Sequence, residues 1–351
     1  MIVTSTKDVN FLNELYKDRD VYQGEMHDHA QTGGTSDGLC TLSHWIGALD
    51  ALKMDFAAIL DHRQVRHMYL PEWKDGLFVA GTEAATKITD SKATVKGLHY
   101  NVITPNSQEL EKLLSEFPEF EFTGGSEGHF KYPPMTTARF CELIEAIKAH
   151  GGFFFHPHPS SVMKSDDPLD YWFCDETGFE IFYYGMFSKE TQENYRLWTA
   201  LLDAGKYVWA IAGGDGHAVC SDEALTTIYA KEKSTAGYLE HLRVGDFTCG
   251  GVGIRMAINE TKMGGKCSFK KARLRICIGD FHRSVLMPEH TYRFDMLNEN
   301  GVVFSKEITC TEPLYFAFNT EKCKFYRAEV FDVTRNVRIA IGNPIWNTDE
   351  E

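Results

Sequence analysis

Histidine and acidic residues recur at the ends of apolar segments in the first two thirds of this chain. His27 and His29 stand two residues apart just after an apolar segment that begins at Val21, and Asp37 follows in a Gly/Ser/Thr-rich turn. On an extended strand, residues i and i+2 point to the same face, so both imidazoles would face one site. An isolated His-x-His pair is as often an exposed strand end as a metal site, so its interpretation depends on the rest of the chain.

Further metal-competent side chains occupy comparable positions. They end or open other apolar segments, in the motifs Leu-Asp-His, Gly-Thr-Glu, Gly-Leu-His, Phe-His-Pro and Gly-Asp-Gly-His, and they are His62, Glu83, His99, His156, Asp215 and His217. In α/β sheets and barrels, the carboxyl ends of the strands meet at one edge, where such folds keep their sites. Repetition at so many strand ends predicts a metal centre rather than unrelated surface residues.

The ligand types predict the ions and the chemistry. Imidazole and carboxylate without cysteine suit zinc, manganese or iron rather than a structural zinc site built from thiolates. These candidate ligands exceed what one ion can use, so two or three divalent ions are expected. Ions about 3.5–4 Å apart make a bridging hydroxide available near neutral pH and stabilise the charge of a tetrahedral or phosphoryl transition state. Glu83 is a carboxylate that can bridge two such ions.

The elements that must position these residues alternate between strands and helices up to about residue 255, which is typical of an α/β fold with a parallel sheet. The predicted strands are Val21–Met26, Phe56–Leu60, Leu77–Ala80, His99–Thr104, Gly152–Phe155, Phe179–Tyr183, Val208–Ala212 and Thr226–Tyr229. Helical spacing of apolar residues predicts helices at 42–52 (with Thr41 as N-cap), Phe140–His150, Ser188–Ala204 and Thr235–Val244.

The pattern changes in the last quarter of the chain, where apolar and polar residues alternate. Strands are predicted at Ala272–Ile278, Tyr292–Leu297, Leu314–Phe318, Phe325–Val333 and Val337–Ile341, with a hairpin at Asn300-Gly301. Several short strands in under a hundred residues predict a small antiparallel β-sandwich. We therefore expect a catalytic domain at 1–255 and, at 256–351, a linker (Arg255–Lys271) followed by the sandwich.

Composition excludes some classes of protein. A hydrophobic content of 43% in 351 residues excludes a mainly disordered chain, and a net charge of −14 argues against a long nucleic acid as partner. Nine cysteines without a Cys-x-x-Cys pair or a secretion signal predict reduced thiols. The apolar runs are too short to span a membrane, so a soluble cytoplasmic protein is expected; its oligomeric state is open.

The motifs also occur in the order and spacing of a known family. His-x-His with a later Ser-Asp-Gly, then Leu-Asp-His, Gly-Thr-Glu, a following His, His-Pro and Asp-Gly-His resemble the PHP (polymerase and histidinol phosphatase) superfamily over residues 20–255. Ile341–Ile345 resembles part of the C-terminal sandwich of the carbaryl-hydrolase-like branch. The resemblance implies a distorted (β/α)7 barrel with a trinuclear metal site at its C-terminal mouth.

The resemblance further implies how the ligands are divided among three ions. One ion would take His27, His29, Glu83 and Asp215. A second would take Asp37, His62 and His217. A third would share Glu83 and take His99 and His156. The His-Pro motif is doubled here; His156 is preferred because it directly ends the apolar strand, which leaves His158 as a candidate substrate contact.

Basic residues near these motifs are candidates for binding a substrate anion. Arg63 directly follows His62 and is the best of them, because a guanidinium binds phosphate through two parallel hydrogen bonds. Weaker candidates, for which a solvated surface charge is the favoured interpretation, are Lys87, Lys131 and Lys164. The aperiodic segment Phe120–Pro134, which carries His129, is interpreted as a lid or binding loop or as a solvated excursion. Glu180 and Tyr183 would orient ligands or be polar residues of the barrel interior.

Three functions are compatible with these residues. The first is a metal-dependent phosphoesterase that acts on a small phosphomonoester or a nucleotide-type phosphodiester through a metal-bridged hydroxide. The second is a carboxyl-ester, amide or carbamate hydrolase that uses the same metal site. The third is a non-catalytic, metal-stabilised binding module whose sandwich recruits a partner or a glycan.

Overall fold

The computed structural model describes residues 4–91, 97–117, 119, 132–162, 165, 167–171, 173–218, 222–309 and 312–350. The α-helices are α1 (Thr6–Leu15), α2 (Leu42–Leu52), α3 (Ser107–Glu116), α4 (Thr137–Ala149), α5 (Pro159–Val162), α6 (Lys189–Asp203) and α7 (Thr235–Leu242). The first strands are β1 (Asp20–Asp28), β2 (Phe56–Ile59), β3 (Phe78–Ile88), β4 (Leu98–Ile103), β5 (Pro134–Met135), β6 (Phe153–His156), β7 (Thr177–Tyr183), β8 (Val208–Gly213), β9 (Thr226–Ala230) and β10 (Phe247–Gly250). The remaining strands are β11 (Val252–Ile258), β12 (Thr261–Lys262), β13 (Lys266–Cys267), β14 (Arg273–Phe281), β15 (Tyr292–Asn298), β16 (Gly301–Ile308), β17 (Leu314–Asn319), β18 (Phe325–Asp332) and β19 (Val337–Asn347).

The fold is mixed α/β and contains one large sheet. Its strand order is β16-β15-β18-β19-β10-β9-β1-β2-β3-β4-β6-β7-β8, with β5 beside β3 and β13 beside β19. The strands β1 to β3 are mutually parallel, as are β6 to β8, but β4 runs antiparallel to both β3 and β6. The predicted parallel sheet is therefore found in β1 to β3 and in β6 to β8, whereas the sheet as a whole is mixed. Residues 89–97 are too few for the crossover of a dozen or more residues that a parallel β4 would need.

The two ends of the run from β1 to β8 meet beside the metal-competent histidines. The backbone N–H of His29 donates to the carbonyl of Gly216 at 2.9 Å, and that of Gly216 donates to the carbonyl of His27 at 3.2 Å. A Cβ on Gly213 would lie 2.5 Å from the Cβ of His27, so this close approach requires glycine at the end of β8. The contact is a single bridge between Asp28 and Gly216, and the closed (β/α)7 barrel stays a prediction.

The C-terminal strands form two sheets around their own core. β11, β12, β14 and β17 make a four-stranded antiparallel sheet, and its apolar face packs against β15, β18 and β19 of the large sheet. The predicted hairpin at Asn300-Gly301 is confirmed, since β15 pairs with β16 and Gly301 has φ +101°. The predicted linker, Arg255–Lys271, contains regular strands: Arg255 lies inside β11, and β12 and β13 also fall within this range. The division into two domains at residue 255 stays a prediction. β10 pairs with both β9 and β19, so strands from both sides of residue 255 belong to one sheet.

The carboxylate of Asp8 in α1 binds two arginines of the four-stranded sheet. Asp8 accepts from Arg273 and Arg275 of β14, both at 2.9 Å, and also completes a capping box with Ser5. The hydrogen bond from Arg273 is the main cause that lowers the pKa of Asp8 below its usual range, against the opposing effect of burial.

Asp8→Asn is expected to lower the free energy of unfolding by about 1–2 kcal/mol at neutral pH. Because the pKa of Asp8 is lower in the folded chain than its unfolded value of about 4, the stabilisation is complete above that pH and is lost as the pH falls below it. Urea unfolding of wild type and Asp8→Asn at pH 7 and near pH 3 measures the difference in their free energies of unfolding. A difference as large at pH 3 as at pH 7 would contradict the stabilising role of the Asp8 carboxylate.

In the parts of the chain that the structure describes, the cysteines are free thiols. No helix there is long and apolar enough to cross a membrane.

Candidate metal centre

Metal-competent side chains converge at the edge of the large sheet where β1 and β8 meet. Within the part of the chain that the structure describes, three groups bring one ligand atom per residue within 4.8 Å of one another. They are His27, His29, Glu83 and Asp215; His29, Asp37, His62 and His217; and Glu83, His99 and His158. The structure thus brings together eight of the nine sequence-predicted ligands and adds His158.

Strand periodicity and two turns place these side chains. His27 and His29 are fully buried and face the same side of the end of β1, as their spacing predicts. Asp215 follows β8 with φ +51°, a left-handed conformation that turns its carboxylate back towards both histidines. Glu83 lies in the middle of β3 rather than at its end, because this strand continues to Ile88.

Glu83 is the centre of the arrangement. Its Oε2 lies 3.3–3.4 Å from ring nitrogens of His27, His29 and His62, and its Oε1 lies 2.7 Å from His99 Nδ1 and 3.3 Å from His158 Nε2. Burial would raise the pKa of this carboxyl, but the surrounding imidazoles outweigh burial and hold the pKa well below its usual range. A carboxylate whose two oxygens face different sets of imidazoles has the geometry needed to bridge two cations.

Asp37 lies on the more exposed side of the site. Its Oδ2 lies 3.1 Å from His217 Nε2 and 3.4 Å from His62 Nε2. The rings of His62 and His217 stack against His29 with centroid distances of 4.7 and 4.4 Å. The Asp37 side chain is 29% exposed, whereas that of His29 is fully buried, so solvent reaches the group from the Asp37 side.

Asp215 binds the buried side of the same histidines. Its Oδ1 lies 3.1 Å from His29 Nε2, and the Tyr183 hydroxyl donates to its Oδ2 at 3.0 Å. Burial lowers the pKa of His29, but Asp215 and Glu83 outweigh it and raise this pKa to about 10. Cations that bind here must displace such protons, so metal binding is expected to release protons.

Buried polar atoms at this site fit metal ions. Among the described residues, His27 Nε2, His29 Nδ1 and Asp37 Oδ1 have no hydrogen-bond partner. A buried polar atom without a hydrogen-bond partner lowers the free energy of unfolding by about 1–3 kcal/mol. Coordination to a divalent ion would offset this loss. The donors are imidazole nitrogens and carboxylate oxygens, a set that suits zinc, manganese or iron. The three groups could hold more than one ion, and they do not identify the metal.

His156 lies outside the three groups, and the preference for it over His158 is corrected by the geometry. The Phe155 ring faces His27 at 6.4 Å, so His156 points to the opposite face of β6, where its ring lies 4.9 Å from Phe154. Burial lowers the pKa of His156 to about 3. The chain then turns at His158, which has φ +32° and points back to Glu83.

Glu180 holds two of the candidate ligands in place. Its Oε1 lies 3.1 Å from His27 Nδ1, and its Oε2 accepts from the backbone N–H of His158 at 2.6 Å. A carboxylate at Nδ1 favours the His27 tautomer whose Nε2 is free to bind a cation. This geometry matches the orienting role considered for Glu180 from the sequence.

Glu180→Gln is expected to weaken metal binding by about 10–100-fold. The glutamine can still accept from the His158 N–H through its oxygen, but it then directs an NH2 donor at His27 Nδ1 and favours the wrong tautomer. Calorimetric titration of a divalent metal into protein that a chelator has stripped of metal measures the affinity of both proteins. An unchanged affinity would show that Glu180 has only a packing role.

The ligand groups line a cavity of about 200 Å³. Its lining residues are Asp37, His62, Glu83, His99, His158, Ser161, Tyr183, Asp215 and His217. Ser161 was missed from the sequence; it lies in α5, with its Oγ 2.9 Å from His158 Nδ1. A serine three residues after a histidine, at the start of a helix, was the available signal.

The predicted anion-binding residues are not among the described residues that line the cavity. The guanidinium of Arg63 donates to the carbonyl oxygen of Glu119, and burial lowers the pKa of this side chain. Lys87 is exposed on β3. His129, Lys131, Lys164 and residues 120–131 of the predicted lid lie outside the described residues.

Comparison with known proteins gives distant structural likenesses. No family model and no curated protein matches the sequence. A crystal structure of Endonuclease Q in complex with a 27-mer duplex substrate, with an abasic lesion at the active site, aligns with a TM-score of 0.43 and 9% identity over 64% of this chain and 57% of that one. An engineered protein aligns with a TM-score of 0.18 and 10% identity over 27% and 20% of the two chains. This chain thus spans less than two thirds of either protein.

Proposed function

We propose that this protein is a metal-dependent hydrolase whose substrate is a small phosphate ester. The convergence of imidazoles and carboxylates on Glu83, at the base of a 200 Å³ cavity, carries this proposal. The motif order that resembles the PHP superfamily supports it as well.

The proposed chemistry divides between the ions and the chain. Divalent ions held by the three groups would lower the pKa of water and neutralise negative charge on the phosphoryl oxygens. Glu83 and Asp215 supply the buried negative charge that would hold those ions, and Glu180 would fix the orientation of His27 for binding. Asp37 and His217 lie on the more exposed side, through which a substrate would enter.

The size of the cavity and the charge of the protein favour a small substrate. A volume of about 200 Å³ lies below the roughly 300–1,000 Å³ of pockets that enclose drug-sized ligands, so a phosphate group fits but a larger ester does not fit whole. A net charge of −14 also disfavours a long polynucleotide, whose binding normally depends on a basic surface.

One observation favours a second candidate, hydrolysis of a carboxyl ester, amide or carbamate. Within the described residues, the cavity lining contains neither lysine nor arginine, and Arg63 is hydrogen-bonded elsewhere. A neutral ester needs no such cation, because the metal ions alone can polarise its carbonyl group.

A panel of phosphate and carboxyl esters assayed with metal-loaded protein separates the candidates. Phosphate release that is abolished in His62→Ala and retained in Glu25→Gln supports the phosphoesterase. Turnover of carboxyl or carbamate esters alone would replace it with the second candidate. Stoichiometric metal without turnover of either class would favour a non-catalytic module.

A further inference from the structure

Tyr184 is an exposed aromatic residue in a conformation that tyrosine rarely adopts. The residue is 59% exposed, and its backbone has φ +57°. A bulky residue in the left-handed region costs about 1–2 kcal/mol, and such outliers cluster at functional sites. The conformation places the Tyr184 ring against that of Tyr183, with a centroid distance of 4.1 Å and an interplanar angle of 37°.

Tyr183 connects this ring to the candidate metal centre. Its hydroxyl donates to Asp215 at 3.0 Å, and its ring lies 5.2 Å from that of His158. Tyr183 lines the cavity, whereas Tyr184 is not among the lining residues and is largely exposed to solvent. The two tyrosines thus run from the metal-binding side chains out to the surface.

A substrate with a phosphate in the cavity must extend past its mouth, because the cavity is too small for more than the phosphate and its nearest atoms. We infer that Tyr184 is an aromatic platform that binds a planar aromatic group attached to that phosphate, such as the base of a nucleoside monophosphate. This inference rests on the proposed function and names the class of ester it acts on. Stacking of a base on an aromatic side chain contributes about 1–3 kcal/mol and tolerates different bases.

Binding of paired non-hydrolysable ligands tests the platform without turnover. The ligands are the phosphonate analogues of AMP and of ribose 5-phosphate, in which CH2 replaces the ester oxygen, titrated into metal-loaded protein by calorimetry. Wild type is expected to bind the AMP analogue about tenfold more tightly than the ribose analogue. Tyr184→Ala is expected to abolish this preference and leave the affinity for the ribose analogue unchanged, whereas Tyr184→Phe keeps the preference.

Tyr69→Ala is the matched control. Tyr69 is 60% exposed, and its hydroxyl donates to Glu111 of α3 rather than facing the cavity. A preference that survives Tyr184→Ala, an equal loss for both analogues, or no binding of either would overturn the platform. Phosphate release by wild type from the ester panel is measured separately. If wild type releases phosphate but Tyr184→Ala keeps the preference for the AMP analogue, only the platform is rejected. If the preference depends on Tyr184 but no phosphate is released, only the phosphoesterase is rejected.

Discussion

Glu83→Gln is expected to reduce the number of divalent ions bound per chain and to lower the rate of phosphate release by about 10³-fold. Each oxygen of Glu83 faces a different set of imidazoles. The amide replaces one acceptor with a donor and removes the negative charge, so neither side of the site keeps its bridging ligand. A loss of about 4 kcal/mol in transition-state stabilisation corresponds to this rate effect. Elemental analysis of desalted protein and steady-state kinetics measure the two quantities.

Glu25→Gln is the matched control for this substitution. Glu25 is as buried as Glu83 and also faces the β1–β8 contact, where a Cβ on Gly214 would lie 2.5 Å from its Oε2. Glutamine has nearly the same shape as Glu25, and burial, together with Asp28, raises the pKa of Glu25 well above its usual value. Its ion count and rate should stay near those of wild type. Equal ion counts in wild type and Glu83→Gln would contradict the bridging role of Glu83.

His158→Ala is expected to remove the third ion and to slow phosphate release by about 10²-fold or more. His158 Nε2 lies 3.3 Å from Glu83 Oε1, so its loss leaves Glu83 and His99 as the only members of that group among the described residues. His156→Ala should keep the ion count, because this ring packs against Phe154 and Phe179 on the far face of β6.

The two variants differ in stability as well as in metal content. His156→Ala leaves a cavity among aromatic rings and should lower the free energy of unfolding by about 2–4 kcal/mol, which urea denaturation measures. If His156→Ala loses an ion and His158→Ala keeps all of them, His156 rather than His158 is the metal ligand, as the sequence analysis expected.

Much of the structure up to residue 255 could be predicted because its elements carry strong local signals. The predicted helices at 42–52 and Ser188–Ala204 are confirmed within a residue or two, since each has an N-cap and a repeated apolar face. The His-x-His pair at the end of β1 faces one site, as strand periodicity requires. By contrast, α1 and α3 each bury only one or two apolar side chains, which is too little periodicity to detect.

The errors in the site came from backbone geometry that a sequence pattern does not encode. The choice between His156 and His158 depends on which face of β6 points to β1 and on the left-handed conformation after Pro157. The direction of β4 depends on a connection too short for a crossover. The guanidinium of Arg63 donates to the backbone carbonyl of Glu119, which is distant in the chain, so the sequence around Arg63 does not reveal this contact.

The most direct test of the account is anomalous diffraction from crystals grown with a divalent metal and phosphate. We predict two or three anomalous peaks separated by about 3.5–4 Å, with Glu83 between two of them, His158 at one, and phosphate oxygens facing the cavity. A single peak, peaks away from Glu83, or coordination by His156 would contradict the proposed centre.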